Sequence, residues 1–378
     1  MLKILMLEDC DYINSIVKIG SQHYGRELAE DGNQVLWLTP PYNELYLLKD
    51  KEEYYIRKTA HKNNFQEVEK NLRVYCPHSL VIAGQQKLFN TKLFHKLSVD
   101  LCMPNIKSKL KKHSFDNVDV LFMNNMRLYY LKDKVKYKKM FYRCNDDKTL
   151  RDAAYDNYNY FENDIIKKSD IVFVTSMDLL EKKQKIRKDL VYLPNGVELE
   201  NFIRDEYRLP EDFTDTQRKK CIFVGAFASW LDVELVEYSA KMLKDIDFYI
   251  IGPVKTDVEC LKKLSNVKLL GVKPYIEIPD YLYHSDVAII PFKINSFTNS
   301  ITPVKLYEYM SLGLNVVTTD FREMQFINSP AYIAKHKDDF CDKILLSIKN
   351  KSVNKETNIT FAKENTWVNR YLTIKKYL

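Results

Sequence analysis

The chain has 378 residues, 29% of them charged and 46% hydrophobic, with a formal net charge of +7. That length fits two domains at the usual ~100–200 residues each, and that composition excludes a disordered chain. Seven cysteines, at 10, 76, 102, 144, 221, 260 and 341, are scattered and never fall in a CxxC. This argues against a disulfide framework or a zinc site and for a reduced, cytosolic compartment.

Leu2–Leu7 reads as a first buried strand. The apolar run stops at Glu8, too short for the apolar core of a secretion signal. No later run approaches the ~18–20 apolar residues that cross a bilayer. Ser21–Glu30 carries a helix pattern, stopped by Gly32 and Asn33, and Gln34–Thr39 is a second strand before Pro40 and Pro41. Strands are then predicted at Val74–Cys76, Val118–Met123, Lys139–Tyr142 and Ile171–Val174, with helices between them. After Gly196 the pattern restarts, with strands at Ile222–Val224, Phe248–Ile251, Val267–Leu270, Val287–Pro291 and Val316–Thr319. Strands alternating with helices predict parallel sheets, an α/β class. The restart places a domain boundary at 196. In such folds the chemistry lies outside the C-terminal ends of the strands.

Ser300–Thr319, SITPVKLYEYMSLGLNVVTT, is the most informative stretch. A hydroxyl-rich turn and Pro303 lead into a helix that Gly313 stops. Ser300 and Thr302 belong to the turn. The N–H groups of Thr302, Val304 and Lys305 fall at the first turn, where they lack intrahelical partners and favour an anion. Lys305 and Glu308 are three apart and share a face. A helix start with a lysine suits a diphosphate, and a carboxylate one turn deeper suits a ribose diol. Together they describe a nucleotide-sugar donor site. The plainer alternative is a surface ion pair worth ~0.3–0.5 kcal/mol, behind a proline common at helix starts.

This segment resembles the donor motif of GT-B glycosyltransferases, sugar transferases built of two Rossmann-like domains. LPNGV at Leu193–Val197 is similar to their interdomain segment. CIFVGAFASW at Cys221–Trp230 resembles the strand and Gly turn that open their second domain, and IIGP at Ile250–Pro253 the next strand. GVKPYIEIPDYL at Gly271–Leu282 resembles the segment that wraps the base. FAKENTWVNR at Phe361–Arg370 resembles the helix that crosses back. The resemblance implies parallel sheets facing a cleft. It implies an acceptor-binding domain at 1–196, a nucleotide-sugar-binding domain at 197–360, and a terminal helix at 361–378 returning to the first domain.

It also implies roles. Gly225 opens the donor-side turn. Trp230 walls a pocket, or is simply packed. Gly271 and Val272 read the edge of the base beside Tyr275 and Ile276. Gly20, Ser21 and His23 lie where the first strand's loop, which faces the donor phosphates in the family, enters a helix. FYRCNDD at Phe141–Asp147 resembles the strand-end motif of polysaccharide transferases of the xanthan glucuronosyltransferase and teichuronic-acid types. It places the general base at Asp146, with Asp147 second. The plainer reading makes both the cap and first turn of a helix at Thr149–Tyr155. Retaining relatives carry two glutamates eight apart. The second matches Glu308 and the first falls on Ser300, which favours inversion. GT-B enzymes neutralise the diphosphate with a helix dipole and a cation, so no cofactor and no metal are expected. The Asp9-Cys10-Asp11 string lacks the rest of a manganese-site pattern.

Positive charge gathers in the first half. Lys87–Lys112 holds seven Lys and one Asp, and Lys132–Lys139 five Lys and one Asp. Leu88, Phe89, Lys92 and Lys96 predict a basic amphipathic helix suited to an anionic membrane surface, unless these are solvated faces. The expected partners are an NDP-sugar, with UDP ahead of GDP, and a surface polysaccharide or lipid-linked acceptor at the inner face of the cell membrane. The alternatives are a UDP-sugar epimerase of the same architecture and a non-catalytic binding protein. Nucleic acid is disfavoured, because the basic runs lack arginine and no recognition motif appears.

Overall fold

A computed structural model describes residues 1–14, 19–83, 89–145, 147, 156–215 and 217–378. The chain divides into two compact units, Met1–Pro194 with Tyr371–Leu378, and Asn195–Arg370. The sequence expectation put the return of the chain at 361. The structure ends a helix at Glu364, starts another at Trp367, and passes between units within it at Tyr371.

The first unit is built on strands β1 Lys3–Leu7, β2 Gln34–Leu38, β3 Gln66–Glu69, β4 Leu72–Tyr75, β5 Asn117–Met123, β6 Lys136–Cys144, β7 Ile171–Val174 and β8 Val191–Tyr192. They form one sheet in the order β3-β4-β2-β1-β5-β6-β7-β8. All pairs are parallel except β3 with β4. The central strands are buried on both faces, which is why they read as apolar runs. β3, QEVE, is a short edge strand whose charges hide it from an apolar pattern and protect the edge. β6 begins three residues before the predicted start, because its first four residues, KYKK, are exposed.

The second unit holds β9 Lys219–Val224, β10 Ile246–Ile251, β11 Val267–Gly271, β12 Val287–Ile290, β13 Val316–Thr319 and β14 Tyr332–Ala334. Their order is β11-β10-β9-β12-β13-β14, all parallel. In both sheets the strand order reverses beside the first strand, between β1 and β5 and between β9 and β12. That reversal opens a crevice at the carboxyl ends, where α/β folds take ligands.

The basic helix is shorter than predicted. It runs Lys92–Asp100 with Thr91 as its N-cap, so Phe89 lies outside it, and Lys87 and Leu88 lie outside the described residues. Leu93 projects into solvent at 61% exposure, while Lys92 sits over the Tyr160 ring at 3.2 Å. Among the described residues, no helix is long and apolar enough to cross a membrane.

Candidate functional site

The second sheet's switch point is built from two short segments. Gly225 directly follows β9 at φ +145, and a Cβ there would collide with the Lys305 side chain. Only glycine takes that backbone and leaves the lysine its path. Lys305 is the second residue of the helix Val304–Ser311, whose N-cap is Pro303. Thr302 therefore stands before the helix, and the first-turn amides are those of Val304 and Lys305, a correction to the expected start.

Glu308 lies one turn on. Burial pushes its carboxyl up, while Lys305 and the Tyr275 hydroxyl draw it down. Tyr275 donates to Glu308 Oε1 at 3.5 Å and meets Phe202 edge-on at 6.0 Å. Tyr275 is exposed, as are Ile276 and Val272 of the same segment. Gly271 ends β11 at φ +68, its carbonyl accepting the Gly252 amide at 2.7 Å. The structure thus gathers Gly225, Val304, Lys305, Glu308 and Tyr275: a cation, two free-ended amides, a carboxylate and an exposed ring.

Three predicted donor residues have side chains engaged with other partners. Ser300 is buried at the end of a short helix and donates to the Phe297 carbonyl at 2.7 Å, so its hydroxyl is spent on the turn. Thr302 is buried, and its hydroxyl donates to Glu323 Oε1 at 3.4 Å. Trp230 is half-buried against the core, with its ring 5.9 Å from Phe297. This is the packed arrangement that its alternative reading describes.

In the first unit, Asp146 and the predicted helix Thr149–Tyr155 lie outside the described residues. Asp147 is buried and bound to Lys182 Nζ at 2.9 Å. The same ammonium bonds Asp178 at 2.7 Å on the helix Met177–Lys183. A carboxylate held by a cation is a poor proton acceptor, so this geometry gives Asp147 an anchoring part. Gly20, Ser21 and His23 are all buried in the first turn of the helix Gly20–Glu30.

One group there escapes a sequence reading. Glu8 follows β1 at the switch point and is fully buried. Asn124, which follows β5, donates through Nδ2 to Glu8 Oε1 at 2.5 Å. The backbone carries both strands one residue further, Glu8 N–H to Leu38 O and Asn124 N–H to Leu7 O, each at 2.9 Å. Burial pushes the Glu8 carboxyl up to about 8 against the pull of Asn124, Ser21 and Arg143. The signal available was a charged residue closing the central strand of an α/β sheet.

Comparisons with known proteins agree with this architecture. Residues 218–350 match the family Glycosyl transferases group 1. TuaH of Bacillus subtilis (strain 168), named as a glycosyltransferase of teichuronic acid biosynthesis, is 24% identical over 350 residues, covering 84% of this chain and 86% of its own. The sucrose-phosphate synthase of Thermosynechococcus elongatus superposes with a TM-score of 0.68 at 12% identity, covering 100% of this chain and 98% of its own. Anabaena HepE, solved with UDP and glucose, gives 0.65 at 12% identity, covering 100% and 99%. The fold is GT-B, two Rossmann-like domains with parallel sheets.

Proposed function

We propose that this chain, which carries a group 1 glycosyl transferase domain on a GT-B fold, transfers a sugar from a UDP-sugar to a surface polysaccharide or lipid-linked glycan. The observation that carries the reading is the Gly225, Lys305, Glu308 and Tyr275 arrangement at the second sheet's switch point. The Lys305 ammonium and the amides of Val304 and Lys305 meet the diphosphate, where negative charge grows as the glycosidic bond breaks. Glu308 accepts hydrogen bonds from the ribose diol, and Tyr275 flanks the base. This arrangement neutralises the leaving group through the protein's own charges, which suits a reaction without a bound metal.

Transfer proceeds with inversion. The acceptor oxygen bonds to the anomeric carbon, the carbon–oxygen bond to the diphosphate breaks, and the acceptor proton passes to the Asp146 carboxylate. With Asp147 tied to Lys182, Asp146 is the carboxylate of this motif left for that step. HepE, solved with UDP and glucose, supports the choice of UDP, and TuaH, named for teichuronic acid biosynthesis, supports a surface polysaccharide.

The protein docks at the inner membrane face through Lys92, Lys96 and Leu93 of the first unit. Flotation with anionic vesicles at low salt tests this, and protein left at the bottom of the gradient rules it out. Melting-temperature shifts with UDP, GDP, ADP, CMP and TDP, with and without magnesium, test the donor site. A magnesium-independent shift with UDP alone is expected. No shift with any of the five overturns the reading.

A further inference from the structure

The LPNGV segment, Leu193–Val197, has no part in the transfer step described above. Asn195 is the first residue of the second unit and Arg370 the last. Inside that unit the two segments lie side by side. Val197 and Thr366 form a parallel bridge, in which Val197 N–H donates to Asn365 O and Trp367 N–H to Val197 O, both at 3.1 Å. A Cβ on Gly196 would stand 2.8 Å from the Thr366 carbonyl carbon and 2.8 Å from the Trp367 nitrogen, so the approach requires glycine.

This paired segment grips the donor helix at two points. Asn195 Nδ2 donates to the Thr302 carbonyl at 3.0 Å, directly ahead of the N-cap Pro303. Arg370 Nε donates to the Asn195 carbonyl at 3.2 Å, and its guanidinium also reaches the Tyr307 hydroxyl on the helix Val304–Ser311. Arg370 is itself held by the Asn365 side chain. Pro303 has no N–H to anchor the turn, so the Thr302 carbonyl is the tie nearest the first-turn amides. Small displacements of such a tie re-aim the groups behind it.

We infer that Asn195 is a positioning residue for the donor diphosphate: its side-chain amide holds the Thr302 carbonyl so that the Val304 and Lys305 amides and the Lys305 side chain face the phosphates. This rests on the donor-site reading above. It turns LPNGV from a crossing of the chain into a strut for the phosphate site. The bonds described at the base and ribose contacts run to other residues, Tyr275 to Glu308 and the Gly252 amide to Gly271.

The test titrates UDP and uridine into the full chain by calorimetry, for the native protein and for Asn195→Leu and Asn195→Ala. Leu fills the space of the amide without its donor, and Ala covers the case in which Leu fails to fold. Loss of one such bond is expected to weaken UDP about three- to tenfold. Uridine, lacking phosphates, should bind the variants as it binds the native protein, so the UDP-to-uridine affinity ratio falls by that factor. Native UDP affinity in the folded variants overturns the inference. So does an equal loss for both ligands, which marks a general structural defect. A native protein that binds UDP no better than uridine brings down the donor-site reading itself.

Discussion

The two sheets share the order of their central strands and fill their switch points in opposite ways. After β9 the chain places Gly225, and a lysine from another segment occupies the space a side chain would take. After β1 it places Glu8, whose carboxyl is capped by Asn124 and fully buried. The second crevice presents a positive charge and helix amides. The first encloses a carboxyl that burial pushes well above the usual carboxylate range. Topology locates both crevices, and the single residue after each central strand decides what chemistry enters.

Four substitutions break or sharpen this contrast. Asp146→Asn should lower turnover about a thousandfold while leaving UDP affinity unchanged, as read from initial rates and calorimetry. Turnover at the native rate would take the base away from this motif.

Glu8→Gln should remove a pH dependence of stability that belongs to the first crevice alone. The folded carboxyl is raised from 4.5 to about 8, so the folded state holds its proton more tightly. The stability from that proton is complete below pH 4.5 and is lost as pH rises through 8, on the order of 5 kcal/mol in all. Urea unfolding at pH 5 and pH 8 should show the native-to-variant difference moving in favour of the variant at pH 8. An unchanged difference would mean that Glu8 titrates normally.

At the second crevice, Lys305→Ala should weaken UDP about ten- to a hundredfold, as one charge-assisted contact is lost, with the first unit's pH profile untouched. Equal UDP affinity would remove the cation from the donor site. Smallest, Asp147→Asn should cost about 1 kcal/mol of stability and leave most of the turnover. A loss matching that of Asp146→Asn would make Asp147 the reacting group.

Much of this was legible along the chain. Ile171–Val174 and Val316–Thr319 are strands at their predicted bounds, because strands buried on both faces are apolar along their whole length. The edge strands β3, β8 and β14 were not, since QEVE carries charge and the other two have only two and three residues. Lys305 and Glu308 could be paired because helix geometry sets their spacing. The bond from Tyr275 to Glu308 joins residues 33 apart, and the one from Asn124 to Glu8 joins residues 116 apart, so neither follows from local spacing. A hydroxyl before a helix fits a ligand as well as its own turn, and the bond from Ser300 to Phe297, which the spacing alone does not show, spends its proton on the turn.

The division of the chain also has a consequence for how it is made. The first unit is interrupted: residues 195–370 lie between its main body and Tyr371–Leu378. Those last residues are integral to it, since Tyr371 and Lys375 bind Asp31 at 2.9 and 2.6 Å, and Lys139 Nζ binds the Tyr377 carbonyl at 2.7 Å. On the ribosome, the whole second unit emerges before the first can be completed. The unit entered before the second is thus closed after it.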